Sequence, residues 1–128
     1  MVSLLVLWAD NTVKSPTPMN PAERFEALLA AGKDNALLRF GLGMQYLNAG
    51  EAARAATHLR VAVTHDPDYS AAWKLLGRAL AADGSKAQAA EAYRMGIAAA
   101  DRKGDKQAAK EMTVFLRRLE KEASGPAG

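Results

Sequence analysis

An all-α fold, an α-α superhelix of about six stacked helices, is predicted by three features of this 128-residue sequence. The chain repeats itself at a fixed offset, alanine dominates its apolar content, and proline is confined to positions 16, 18, 21, 67 and 126. A constant offset marks a helical or strand solenoid. Alanine is the strongest helix former and lets helices pack closely, while an interior proline breaks a helix. Residues 22–66 and 68–125 are therefore free to be helical, and the whole length suits one domain.

The elements follow in order. Asn20-Pro21-Ala22-Glu23 reads as an N-cap, a proline at the first helical position and a capping-box glutamate, opening a helix over 20–32 that Gly32 closes. The internal repeat comes next. Leu42-Gly43 recurs as Leu76-Gly77, Gly50 as Gly84, and Ala53, Ala55, Ala56 and Arg60 as Ala87, Ala89, Ala90 and Arg94, all at an ungapped offset of 34. Repeat one, 36–69, is expected to hold helices near 35–48 and 52–64, joined by Asn48-Ala49-Gly50 and ended by Pro67. Repeat two, 70–103, is expected to hold helices near 69–82 and 86–99 around Asp83-Gly84-Ser85. After Gly104, residues 105–122 place Ala108, Met112, Phe115, Leu116 and Leu119 on one stripe and read as a capping helix. Residues 20–122 thus form a single domain. Residues 1–19 are expected to be a disordered extension, with Met19 the natural start, and residues 123–128 a disordered tail.

Gly43 and Gly77 fall inside predicted helices, where each costs about 1 kcal/mol relative to alanine. Close backbone approach between the two helices of a repeat is the expected compensation.

With these residues in place, the pattern W-x2-L-G-x2-Y, A-x3-F, P of the tetratricopeptide (TPR) family can be laid on both units. Trp73, Leu76, Gly77, Ala89 and Tyr93 carry it in repeat two, and Leu42, Gly43, Tyr46, Ala55, Leu59 and Pro67 in repeat one. The chain resembles that family over residues 36–101, and small stand-alone proteobacterial TPR proteins in particular. Arg39 stands in the tryptophan slot of repeat one, Leu80 in the tyrosine slot of repeat two and Asp101 in its proline slot; each is expected to weaken a contact without changing the fold. Shifted by 34, Phe25 takes the slot of Leu59 and Tyr93, so the first helix resembles the second half of a missing repeat.

The resemblance implies a non-enzymatic protein–protein interaction module, or adaptor, that takes a peptide or partner helix in a concave groove lined by the first helix of each repeat. Leu37, Phe40, Met44 and Leu47, spaced 3, 4 and 3, form one apolar stripe there, and Lys74 and Arg78 give the groove a basic end. An incomplete carboxylate clamp and a solvated basic face are the two readings of that pair. The alternative for the stripe is that the protein covers it itself, through residues 1–20 or as a structural homodimer.

Other functions find little support. The sequence has no cysteine, which excludes disulfides and thiolate chemistry. His58 and His65, the only histidines, are two turns apart, lack the i, i+4 spacing of paired metal ligands, and are read as surface or boundary residues. No catalytic, cofactor or metal residues are assigned. Gly41-Leu42-Gly43 has neither a preceding strand nor a third glycine in register, so it is a packing feature and not a nucleotide loop. Lys and Arg total 17 against 14 Asp and Glu, but the signs alternate, with no basic stripe interleaved with aromatics, so no nucleic-acid partner is expected. Val2 to Ala9 is apolar but far shorter than the roughly 20 residues that span a bilayer, and it lacks the basic start and cleavage site of a signal peptide. No membrane contact is expected, and the expected location is the cytoplasm.

Overall fold

The computed structural model of the chain describes residues 19–125; all but Met19 of the extension expected over residues 1–19, and the last three residues of the tail, lie outside it. Six helices follow one another: α1 (Pro21–Ala30), α2 (Ala36–Asn48), α3 (Ala52–His65), α4 (Ser70–Ala82), α5 (Lys86–Lys103) and α6 (Lys106–Ser124). No strand occurs among the described residues.

The local signals operate as written. Asn20 Oδ1 accepts from the Glu23 amide at 2.8 Å, capping α1, while the Asn20 side-chain amide donates to Glu23 Oε1 at 2.8 Å. Gly50 and Gly84, which close α2 and α4, sit at φ +80° and +82°, a left-handed conformation that costs glycine nothing. In each case the next residue reaches back over the turn, Glu51 N to Tyr46 O at 2.9 Å and Ser85 N to Leu80 O at 2.8 Å. The predicted end of α5 at residue 99 is too early. Asp101 occupies the slot where proline stops repeat one, so the helix runs on to Lys103 and ends at Gly104. Likewise α6 continues through Ala123 and Ser124, two residues that the sequence assigned to the tail.

Each helix packs on the next, and α4 also touches α2 and α6, whereas the backbones of α1, α3 and α5 make no such contact with one another. The first helices of the repeats therefore line the tighter, concave side. One core runs through the stack, and Leu42, Leu59, Leu76 and Met112 are its large, fully enclosed side chains.

The helical glycines are explained by side chains instead of by backbone approach. A Cβ on Gly43 would come closer than 3.0 Å to Leu59, and one on Gly77 closer than 3.0 Å to Tyr93. The large residue on the second helix of each repeat lies flat on the glycine of the first. Phe25 breaks this register: it rests on Gly41, in the helix that follows it. Both glycines of Gly41-Leu42-Gly43 are thus receptors for a large apolar side chain, one from α1 and one from α3.

Candidate functional site: the concave face of α2

Position along α2 decides which of its apolar residues reach solvent. Leu38, Leu42 and Tyr46 turn into the core, which leaves the stripe Leu37, Phe40, Met44 and Leu47 on the concave side. Leu37 is 71% exposed and Met44 37%, large values for apolar side chains. Together with Phe25, Phe40, Gly41 and Gln45 they line a depression of about 490 Å³. Phe40 is half-buried and stacks on Tyr69 with centroids 5.0 Å apart. Leu47 is also half-buried and leans on the core, outside the depression.

The basic end differs from a pair of open cations. Lys74 Nζ is bonded to Glu111 Oε2 on α6 at 3.0 Å, and Gln107 donates to the other oxygen at 3.3 Å. Lys74, then Gln107, holds the Glu111 carboxyl below the usual carboxylate range. Arg78, one turn further along α4, is exposed and makes no ion pair among the described residues. Of the six residues the sequence singled out, three meet in the depression, one supports the core beside it, one is neutralised and one cation stays open.

A second hollow, about 710 Å³, lies between the start of α1 and the α2–α3 turn, with Glu23, Glu26, Tyr46, Glu51 and Arg54 among its walls. It is larger than the α2 depression, but charged walls suit it to water, whereas exposed apolar surface is what association removes from water.

Sequence reasoning missed a polar network beside that hollow. Arg39 holds Asp34 through two bonds of 2.8 Å, and Asp34 also meets His65 Nε2 at 3.1 Å. The Arg39 guanidinium, then the His65 contact, outweighs the burial of Asp34 and keeps its carboxyl far below the ordinary value. Arg39 Nη1 lies 3.0 Å from His58 Nδ1, and His58 Nε2 lies 3.5 Å from Glu26 Oε1. Of the two histidines read as surface or boundary residues, His65 is exposed, whereas His58 is buried at 9% exposure and stacks on Tyr46 at 5.5 Å. The available signal was Arg39 itself, because a cation in a half-buried aromatic slot needs polar partners. Among the described residues no group of three or more His, Asp and Glu side chains is placed to hold a metal ion. No helix among them is long and apolar enough to cross a membrane.

Tandem helix pairs, a glycine receptor in each first helix and one concave face define a two-helix repeat solenoid. A Tetratricopeptide repeat profile matches residues 22–69 and 42–105, and the chain belongs to the TPR family. Repeats of this family generally mediate protein–protein interaction and are in general non-catalytic scaffolds. The chain is 60% identical over 99 residues to TPR repeat-containing protein PA0015 of Pseudomonas aeruginosa, covering 77% of this chain and 94% of that protein. It is 48% identical to protein BPP2914 of Bordetella parapertussis, whose solution structure matches with a TM-score of 0.71 over 82% of this chain and 91% of that one.

Proposed function

We propose that this chain is a non-enzymatic interaction module whose α2 face receives apolar side chains from a partner peptide or helix. The observation that carries this reading is Leu37, 71% exposed at the rim of an apolar depression that also holds Phe40 and Met44. Burying one such side chain is worth about 1.5–3 kcal/mol, or roughly one to two orders of magnitude in affinity. The Lys74–Glu111 pair occupies the place where a partner's carboxylate would be held, so apolar anchoring, with Arg78 as the open cation, is favoured over a carboxylate clamp.

The test is a photo-crosslinker at position 37 in the full chain, compared with one at Thr57, an exposed residue of α3. Expected is a protein captured at position 37 and not at 57, whose affinity for the purified chain falls at least about tenfold in Leu37→Glu. Equal capture at both positions would remove the reading. Capture of a second copy, with a dimer in sedimentation that Leu37→Glu dissociates, would replace the open groove with a self-association surface.

A further inference from the structure

A second helix of a repeat is flanked by first helices on both sides. Thus α3 packs between α2 and α4, and its Ala55, Leu59 and Ala62 are fully enclosed. Their counterparts 34 residues earlier are Pro21, Phe25 and Leu28 of α1, whose backbone packs on α2 alone. Pro21 is exposed, Phe25 half-buried and Leu28 46% exposed. The other end of the stack is closed by polar groups, since α6 carries Lys110 and Glu111 where α4 carries Leu76 and Gly77.

The depression beside α2 has the form of a helix seat. One unit later the same groove, between α3 and α4, is filled by α2: Gly43 receives Leu59, and Phe40 stacks on Tyr69. Shifted back by 34, Leu59 and Tyr69 become Phe25 and Asn35, and both line the depression. Leu75 and Ala79, buried in α4, correspond to Gly41 and Gln45, which are only half-buried.

The register names an occupant. The same offset carries Ala36–Asn48 back to residues 2–14, outside the described part of the chain. Leu4 falls in the slot of Leu38 and Ala72, and Trp8 in that of Leu42 and Leu76, four buried residues. Ser3 falls in the slot of Leu37 and Ala71, and Asp10 in that of Met44 and Arg78, four exposed ones. Ala9 stands where the repeats have Gly43 and Gly77. Those glycines receive Leu59 and Tyr93, but Phe25 turns to Gly41 instead, so position 9 needs no glycine. Pro16 takes the stop slot of Gly50 and Gly84, and the residue before a proline is driven from the helical region, so a helix from Val2 has to end by Lys14. We propose that residues 2–14, which sequence alone reads as a free extension, dock in this groove as the first helix of a unit that α1 completes. Partner binding at Leu37 is a separate matter: Leu37 and Met44 would stay open beside the docked segment, as Ala71 and Arg78 do beside α2.

Two measurements on the full chain test the docking. The sequence has no cysteine, so Asp10→Cys carries a single nitroxide, at a slot that points away from the groove. Amide signals of Phe25, Gly41 and Gln45 should broaden and those of α5 should not. In a mixture of nitroxide chain with isotope-labelled unmodified chain, none should. In amide exchange, Trp8→Glu should lower α1 protection by at least about tenfold, the effect of losing one buried apolar side chain, while α4 and α5 hold. Ser3→Glu should leave α1 as it is. Neither substitution touches a described residue, so both variants keep the core. Unbroadened signals at α1 and α2, broadening that passes between chains in the mixture, or equal effects of Trp8→Glu and Ser3→Glu would each overturn the proposal; the first leaves the groove to a partner's helix, and the second to another copy of the chain.

Discussion

Gly77→Ala sets two effects of opposite sign against each other, and the structure says which prevails. Helix propensity alone predicts a gain of about 1 kcal/mol. The added Cβ would, however, lie 2.5, 2.6 and 2.7 Å from Cε1, Cζ and Cδ1 of Tyr93. Carbon atoms in contact sit about 3.5–4.0 Å apart, so the ring would have to retreat by roughly 1 Å. It has little room: Tyr93 is 3% exposed and its ring is tilted against Phe115 at 5.6 Å. Overpacking costs about 1–3 kcal/mol, and three atoms of a buried ring struck together put this site in the upper half of that range. The net expectation is a loss of about 1–2 kcal/mol after the propensity gain is subtracted.

Urea unfolding followed by circular dichroism reads this as a lower midpoint at unchanged slope. The thermal midpoint should drop by about 4–8 °C per kcal/mol for a domain near 100 residues. Gly41→Ala is the comparison. There the Cβ would meet Phe25 Cε2 at 2.9 Å, and Phe25 is a half-buried residue of α1 that can swing outward. Its stability should stay within about 0.5 kcal/mol of wild type, or rise. A Gly77→Ala protein as stable as wild type, or a Gly41→Ala protein that loses as much as Gly77→Ala, would refute the account of these glycines as receptors for a large side chain.

Further outcomes are expected from the same packing. Met112→Ala, which empties a fully enclosed site over Gly96, should lose about 2–5 kcal/mol, whereas Val114→Ala on the exposed side of α6 should stay within about 0.5, both by urea unfolding. Asp34→Asn should lower stability near pH 7 and flatten its acid limb. Because the Asp34 carboxyl is depressed in the fold, its contribution is complete above the ordinary value of 3.8 and disappears as pH falls further, so wild type and variant should converge toward pH 2 in thermal melts. Leu37→Glu should leave the midpoint within about 0.5 kcal/mol, but Phe40→Glu should lose about 1–3, because it also breaks the stack on Tyr69. Leu37 is therefore the cleaner probe of binding.

What could be read from the sequence was whatever depends on neighbours along the chain. The Asn20 cap places the start of α1, and the glycine stops and the 3.6-residue periodicity place α2 and α4 within a residue of their observed limits, since each signal acts within one turn. The same reasoning put Leu37, Phe40 and Met44 on one face. It could not show that Lys74 meets Glu111, 37 residues away, or that Arg39 meets His58, 19 away, because those pairings depend on how helices stack. Nor could it foresee that Phe25, in the slot of Leu59 and Tyr93, would rest on the following helix, when no helix packs before it among the described residues.

The departure at Arg39 is the most informative of these, because sequence alone reads it as a weakened contact. In repeat two the slot holds Trp73, whose Nε1 donates to the carbonyl of Pro67 at 2.8 Å, six residues back in the turn that precedes its helix. In repeat one Arg39 donates twice to Asp34, five residues back in the turn that precedes its own helix. Both residues clamp the turn leading into a repeat, so the mechanical task survives the change of chemistry. An indole fastened to a carbonyl has no proton to gain or lose near neutral pH. A guanidinium fastened to a carboxylate draws a buried histidine into the same chain of contacts, and with it a dependence on pH that repeat two lacks at this slot. Arg39→Trp should then preserve the helix pair while removing most of the Asp34 contribution to stability in acid, and thermal melts between pH 7 and pH 2 distinguish the two consequences.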